Sequence, residues 1–348
     1  MSGDLVPGTA LVTGASGFTG THVCRALAAE GWKVVALVRP AGAERRRARP
    51  EPDDQTARVP VDLLDREAVR VAVIEASPDR IVHLAGLRGP AALPDLLTAN
   101  VTATDHVLSA ALELLRDREV RVLVPGSAAE YGDSTSGQQG RRLQEGDALQ
   151  PLTAYGVSKV AQVCLAQRYH RTEGVPVYLA RPFNIVGAGE PSDLVCSSLA
   201  RQMVGAARAS GSGQVVVNST ERVRDFTDVR DVASAYLTIL HRGDAGVVYN
   251  VCTGIPRAIG EVIDILATLT GCRATVRRGA ASTSGDVRSS VGDPSRINEI
   301  GWQARVPLRA SLHELVDEWR VLSSSEQSSV VDVGAHQPGA SLRLSVRA

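Results

Sequence analysis

Tyr155 and Lys159 stand four residues apart in Thr153-Ala154-Tyr155-Gly156-Val157-Ser158-Lys159, a spacing that puts both on one face of a helix. An ammonium beside a phenol favours the phenolate and lowers its pKa, which makes tyrosine usable as a general acid or base. The chain holds six tyrosines and only two lysines, Lys33 and Lys159. Chance would place such a pair about 0.03 times, so the pattern is informative despite its brevity. The alternative is a buried helical tyrosine with a surface lysine.

A second set of residues suits phosphate. Thr13-Gly14-Ala15-Ser16-Gly17-Phe18-Thr19-Gly20 follows an apolar run at 9–13 and opens a helical pattern over 21–30. Glycines keep such a turn tight and let backbone N–H groups approach a pyrophosphate at the positive end of the helix. A plain turn is the alternative, disfavoured by the position between first strand and first helix. The end of the second strand selects the nicotinamide cofactor: a carboxylate there reads a ribose 2′-hydroxyl, an arginine a 2′-phosphate. It reads Val38-Arg39-Pro40, so NADP(H) is expected, with Arg39 as the partner. Arg45, Arg46, Arg47 and Arg49 read mostly as a solvated loop. In Val61-Asp62-Leu63, Asp62 can accept from an adenine amino group or cap a helix.

Positioning these groups requires a particular scaffold. Apolar runs at 9–13, 33–38, 80–84, 120–124 and 175–181 alternate with helical patterns. Near-continuous aliphatic strands between helices predict an α/β fold, a Rossmann-like doubly wound parallel sheet. After Arg181 the rhythm breaks into a Gly/Pro-rich stretch, a helix at 193–209, a strand at 214–217 and a helix from Asp228. A strand at 247–251, a helix carrying Ile259, Val262, Ile263, Leu266 and Leu269, and a last helix at 308–322 follow. The expected division is 1–180 plus about 226–255 for the dinucleotide domain, 181–225 plus 256–322 for a smaller C-terminal α/β substrate lobe, and 323–348 as a mobile tail.

Composition narrows the partners. With 348 residues, 44% hydrophobic and 22% charged, the chain can bury a core without metals or disulfides. Lys plus Arg and Asp plus Glu are 38 each, so no global field draws nucleic acid or an anionic membrane. At 3% aromatic, it has little for base-stacking platforms. Five cysteines form no CxxC pair or metal-ligand spacing, so no metal is expected and buried thiols in a reducing cytoplasm are. The uncharged stretch 5–24 carries glycines and threonines and lacks a basic n-region, unlike a signal peptide or membrane span. His83 reads as a packed strand residue.

From Thr9 to about Arg320 the sequence resembles the extended short-chain dehydrogenase/reductase family, in its nucleotide-sugar branch. The motifs are TGASGFTG, Asp62-Leu63, His83-Leu84-Ala85-Gly86, Asn100-Val101, SAAEYG at 127–132, Tyr155/Lys159, Arg181-Pro182-Phe183-Asn184, RDFTDVRD at 224–231, Val248-Tyr249-Asn250-Val251 and Gly292-Asp293-Pro294-Ser295. RPFN, SSLARQM, RDFTDVRD and GDPS are most similar to GDP-4-keto-6-deoxy-mannose reductases and related NDP-hexose 4-ketoreductases. The resemblance implies Ser127 as a third catalytic hydroxyl beside Tyr155 and Lys159. It adds Gly14, Gly17, Phe18, Thr19, Gly20, Leu63, Leu84, Ala85, Gly86, Asn100 and Phe183 as cofactor contacts, and Asn184 and Arg224 as substrate contacts. Related 4,6-dehydratases carry acidic groups at one or both positions where this chain has Ala128 and Ala129, which speaks against dehydration; Glu130 is one step further. The family's phosphate-binding arginine is replaced by Thr283, three before Asp286, with Arg277, Arg278 or Arg288 as substitutes. Its polar pair after RPFN is Ile185 and Val186.

These readings lead to NADPH-dependent reduction of the C4 ketone of a nucleoside-diphosphate 4-keto-6-deoxyhexose by a cytoplasmic homodimer. The rivals are an NDP-sugar 4-epimerase with retained NAD and a non-catalytic cofactor sensor.

Overall fold

Aliphatic strands buried on two sides need amphipathic helices over both faces, and the chain supplies them in alternation. A computed structural model describes residues 8–40, 56–132, 140–209, 211–217, 219–278 and 287–331. Its first part runs β1 (Thr9–Thr13), α1 (Phe18–Ala29), β2 (Lys33–Val38), β3 (Ala57–Pro60), α2 (Arg66–Ala76), β4 (Arg80–His83), α3 (Leu93–Leu97), α4 (Ala103–Leu114), β5 (Arg121–Pro125), α5 (Ala154–Glu173) and β6 (Val177–Pro182). There follow β7 (Asn184–Val186), α6 (Val195–Ala209), β8 (Ser212–Val217), β9 (Val223–Arg224), β10 (Phe226–Asp228), α7 (Val229–Arg242) and β11 (Val248–Val251). The chain continues through β12 (Arg257–Ala258), α8 (Ile259–Thr270), β13 (Arg273–Arg278), β14 (Ser289–Ser290), α9 (Ser295–Glu299) and α10 (Leu308–Val331).

Seven strands form one parallel sheet in the order β11-β6-β5-β4-β1-β2-β3. The order reverses between β1 and β4, where such sheets bind dinucleotides. The two-residue period of a strand divides the aliphatic runs: Ala10, Val12, Val34 and Ala36 join α1 and α7. Leu11, Val35, Leu37 and Ile81 join α2, α4 and α5 on the opposite face. A third core lies apart from these two, including Leu199 and Met203 of α6, Leu266 of α8, and Leu312 and Trp319 of α10.

Strands β9, β12 and β14 escaped the sequence reading because a two-residue ladder carries no period. The expected end of the last helix at 322 is corrected, since α10 runs on to Val331. Residues 323–331 show no apolar repeat, yet Ser323 and Ser324 bond back to the carbonyls of Trp319 and Arg320 at 2.7 and 2.8 Å. Arg208 holds Ser324 at 2.8 Å. The rest of the expected tail, 332–348, lies outside the described residues.

Three aspartates of the 224–231 stretch tie together segments distant in sequence. Asp225 accepts from the backbone N–H groups of Thr253 (2.9 Å) and Gly254 (2.8 Å) and from the Thr253 hydroxyl (2.6 Å). Asp228 caps α7 and accepts from Ser311 of α10 at 2.6 Å. Asp231 accepts from the N–H groups of Arg305 and Val306 at 2.9 and 2.8 Å. Among the described residues no helix is long and apolar enough to cross a membrane.

Candidate active site

β1 delivers the chain into a turn at Gly14, whose φ of +66° favours glycine. A side chain there would meet the Ala85 nitrogen at 2.6 Å, and one at Gly20 would meet the Gly14 oxygen at 2.1 Å. The turn therefore lies directly on both α1 and the segment leaving β4. No side chain caps α1, so its first-turn N–H groups suit an anion. Gly17 stands at the cap position and Phe18 and Thr19 open the helix, all half-buried. The segment 187–190 reaches over this turn, with Ala188 O 3.2 Å from His22 Nε2. The cradle fits the pyrophosphate of a dinucleotide.

Arg39 is exposed immediately after β2, and Arg45, Arg46, Arg47 and Arg49 lie outside the described residues. Asp62 is exposed and accepts from Leu64 N at 3.0 Å. The cap of α2 belongs instead to Asp65, which accepts from Ala68 N at 3.0 Å, so Asp62 does not serve there. Leu63 is half-buried beside it. Leu84, Ala85 and Gly86 continue β4 past Gly14, and Ala85 N donates to Thr13 Oγ1 at 3.1 Å. Asn100 sits in a π turn, Thr98–Thr102. Its amide brackets the Leu87 peptide at 2.7 and 3.0 Å and donates to Ser158 Oγ at 2.9 Å. It thus ties the 84–87 segment to α5.

The hydroxyl pair is set by one close contact. A side chain at Gly156 would meet Ala129 O at 2.5 Å, so the first turn of α5 rests on the 3-10 turn Ala128–Glu130. This brings the Tyr155 phenol towards Ser127, whose hydroxyl acts on it electrostatically. Lys159, one helical turn on, donates to the carbonyl of Gln162. Burial holds Lys159 down at about 8, opposed by Glu130. The expectation that Lys159 depresses Tyr155 is corrected. Burial dominates and raises the phenol, Glu130 adds to the rise, and the Ser127 hydroxyl and Arg88 oppose it. Tyr155 therefore holds its proton at neutral pH and is poised as an acid.

Glu130 is fully buried. It pairs with Arg181 at 2.8 Å and accepts from Ser127 N at 2.6 Å. Ala128 and Ala129 offer no proton-transferring group. Phe183 is buried in a cluster with Tyr131, Leu143 and Cys252, its ring 6.1 Å from that of Tyr131. Asn184 is half-buried on β7, and Arg224 donates to Val287 O at 3.0 Å. Thr283 and Asp286 lie outside the described residues, while Arg277 and Arg288 are exposed.

Sequence reasoning missed Arg88 and Asp193, whose two-point ion pair at 2.8 and 2.9 Å joins the loop after β4 to the segment before α6. Nothing in their local sequence announced it. It also missed Gln162, whose one signal was its place three residues after Lys159. Among the described residues no group of three His, Cys, Asp or Glu could hold a metal ion.

His83 is fully enclosed, and burial, aided by the charge of Lys159, pushes it down to about 3. The unfolded imidazole binds a proton near pH 6.5. Between these values the unfolded state holds the extra proton, so the His83 contribution is full above pH 6.5 and is lost as pH falls towards about 3. The expected loss is on the order of 4 kcal/mol. Urea unfolding at pH 7 and pH 4 should show a steeper decline in the parent than in His83→Asn. Equal declines would mean that His83 titrates normally.

The family described as "NAD dependent epimerase/dehydratase family" matches residues 10–252. The chain is 30% identical over 315 residues to GDP-6-deoxy-D-mannose reductase of Pseudomonas aeruginosa, covering 88% of this chain and 96% of that protein. The structure of RMD from P. aeruginosa complexed with NADPH superposes with a TM-score of 0.74 at 29% identity, covering 90% of this chain and 98% of the other. The Thermus thermophilus UDP-glucose 4-epimerase complex with NAD gives 0.76 at 25% identity, with 90% and 99% covered. With its glycine turn at the sheet's switch point and more than half its length matched, the chain belongs to the NAD dependent epimerase/dehydratase family.

Proposed function

We propose that the protein is an NADP-dependent oxidoreductase that reduces the C4 ketone of a nucleoside-diphosphate 4-keto-6-deoxyhexose. The observation that carries this is Tyr155, its phenol raised by burial, on the first turn of α5 beside the Ser127–Glu130 turn that carries Ala128 and Ala129. When bound, the dinucleotide supplies the hydride. Gly14, Gly17 and Gly20 admit its pyrophosphate, Arg39 faces the 2′-phosphate and Lys159 holds the nicotinamide ribose. Tyr155 gives its proton to O4 of the sugar while Ser127 orients that oxygen. Asn184 and Arg224 hold the nucleotide sugar, which for the Pseudomonas relative is a GDP-deoxymannose by its name. The reading includes a cytoplasmic homodimer, without nucleic-acid or membrane partners.

NADPH consumption with GDP-, TDP-, UDP- and CDP-linked 4-keto sugars, followed by product NMR, tests it. Failure on all four overturns it. The epimerase reading is favoured by the likeness to the NAD-bound Thermus enzyme, and co-purification of tightly bound NAD would select it.

Arg39 carries a separate expectation: NADPH should bind roughly tenfold or more tightly than NADH, the worth of one charge-assisted hydrogen bond. Arg39→Asp should abolish or reverse the preference, measured by cofactor fluorescence titration. Equal affinities in the parent would remove Arg39 from the argument.

A further inference from the structure

Behind Lys159 lies a run of buried hydrogen bonds whose donors and acceptors can be assigned without ambiguity. Thr104 Oγ1 lies 2.6 Å from the Asn100 carbonyl, which can only accept, so the one hydroxyl proton of Thr104 goes there. Thr104 Oγ1 must then accept from its other two neighbours, Gln162 Nε2 at 2.8 Å and His83 Nε2 at 3.0 Å. His83 is therefore protonated on Nε2. Its Nδ1 accepts from Thr13 Oγ1 at 2.8 Å, and Thr13 in turn accepts from Ala85 N at 3.1 Å.

This polarity dictates how Gln162 stands. With its NH2 directed at Thr104, its carbonyl faces the Lys159 ammonium and accepts from it. Turned over, the amide would set two donors against each other at Lys159 and two oxygens against each other at Thr104. Gln162 and Thr104 are 1% and 0% exposed, so water cannot repair the mismatch.

We propose that Gln162 is a positioning residue that holds the Lys159 ammonium at the site, and that His83, locked as its neutral Nε2–H tautomer, sets Gln162 through Thr104. The role assigned to Lys159 rests on the function proposed above, but the coupling to Gln162 is a property of the protein by itself. Among the described residues, Glu130, from the turn after β5, and His83, from β4, are the charged or titratable groups that act electrostatically with Lys159. His83 does not titrate near neutrality, so a midpoint there belongs to the lysine.

The chain's two lysines make the test direct. Protein labelled with [ε-13C]lysine gives two side-chain signals, and Lys33→Arg identifies that of Lys159. Its chemical shift is followed against pH without cofactor or substrate. The parent midpoint is expected near 8. Gln162→Leu removes the acceptor and should lower the midpoint by about one unit or more. Gln162→Glu, of the same size, places an opposite charge there and should raise it. Thr104→Val frees the amide to turn and should shift the midpoint in the direction of Gln162→Leu, by less. A merely structural Gln162 would leave the midpoint unmoved in the folded variants, and that result overturns the proposal. If Gln162→Leu does not fold, Gln162→Glu decides alone, an unshifted midpoint being the refutation. Lack of turnover with 4-keto sugars would leave these shifts in place, so the two readings fail separately.

Discussion

Tyr155→Phe is expected to lower turnover by about 10²–10⁴ while leaving NADPH affinity nearly unchanged. The substitution keeps the half-buried ring in place and removes only the hydroxyl. Because burial raises this phenol, the parent should hold its activity as an acid across neutral pH and lose it only on the alkaline side. Steady-state rates with a 4-keto sugar, together with cofactor titration, read both quantities. Near-parental turnover would mean that the proton comes from another group, whereas equal losses in rate and cofactor affinity would point to a damaged fold.

Glu130→Gln should destabilise the protein by about 3–5 kcal/mol. The Arg181 and Glu130 side chains are 3% and 0% exposed, so removing the carboxylate charge leaves a guanidinium desolvated without its partner. Tyr131 lies under that guanidinium at 4.5 Å and donates to Asn250 at 2.7 Å, so the disturbance spreads through the floor of the site. Urea unfolding at pH 7 measures the loss. The double variant Glu130→Gln/Arg181→Met should recover part of it, because neither charge then remains buried. An unchanged unfolding midpoint in Glu130→Gln would show that the pair contributes nothing net. Held in this way, Glu130 is unavailable as a base at C5 of a hexose. The parent should therefore form no keto product from GDP-mannose or TDP-glucose, and its appearance would falsify that assignment.

Strands β1 and β2 coincide with the residues the aliphatic runs marked, because burial on both faces writes itself into composition. Tyr155 and Lys159 were legible for a similar reason: the helical repeat fixes which residues share a face. What their neighbours do to them was not. The rise at Tyr155 comes from enclosure, and the turn of Lys159 towards Gln162 comes from a network fed by β1, β4 and α4. Ser127 entered through resemblance alone, since its approach to Tyr155 depends on Gly156 resting against Ala129, a contact with no local signature. Phe183 shows the converse. Its motif suggested a cofactor contact, and the packing of its side chain with Tyr131, Leu143 and Cys252 is something only topology could reveal.

The joint made by Asp225, Asp228 and Asp231 bears on how such a protein can change over time. Asp225 and Asp231 accept largely from main-chain N–H groups, which persist whatever side chains surround them. Substitutions at the proposed substrate contacts can then accumulate without loosening this joint, so selection on specificity and selection on assembly act on separate residues. Libraries that randomise Asn184, Ile185 and Arg224 while keeping the three aspartates should retain a high folded fraction, and lobes from relatives sharing the joint become candidates for grafting.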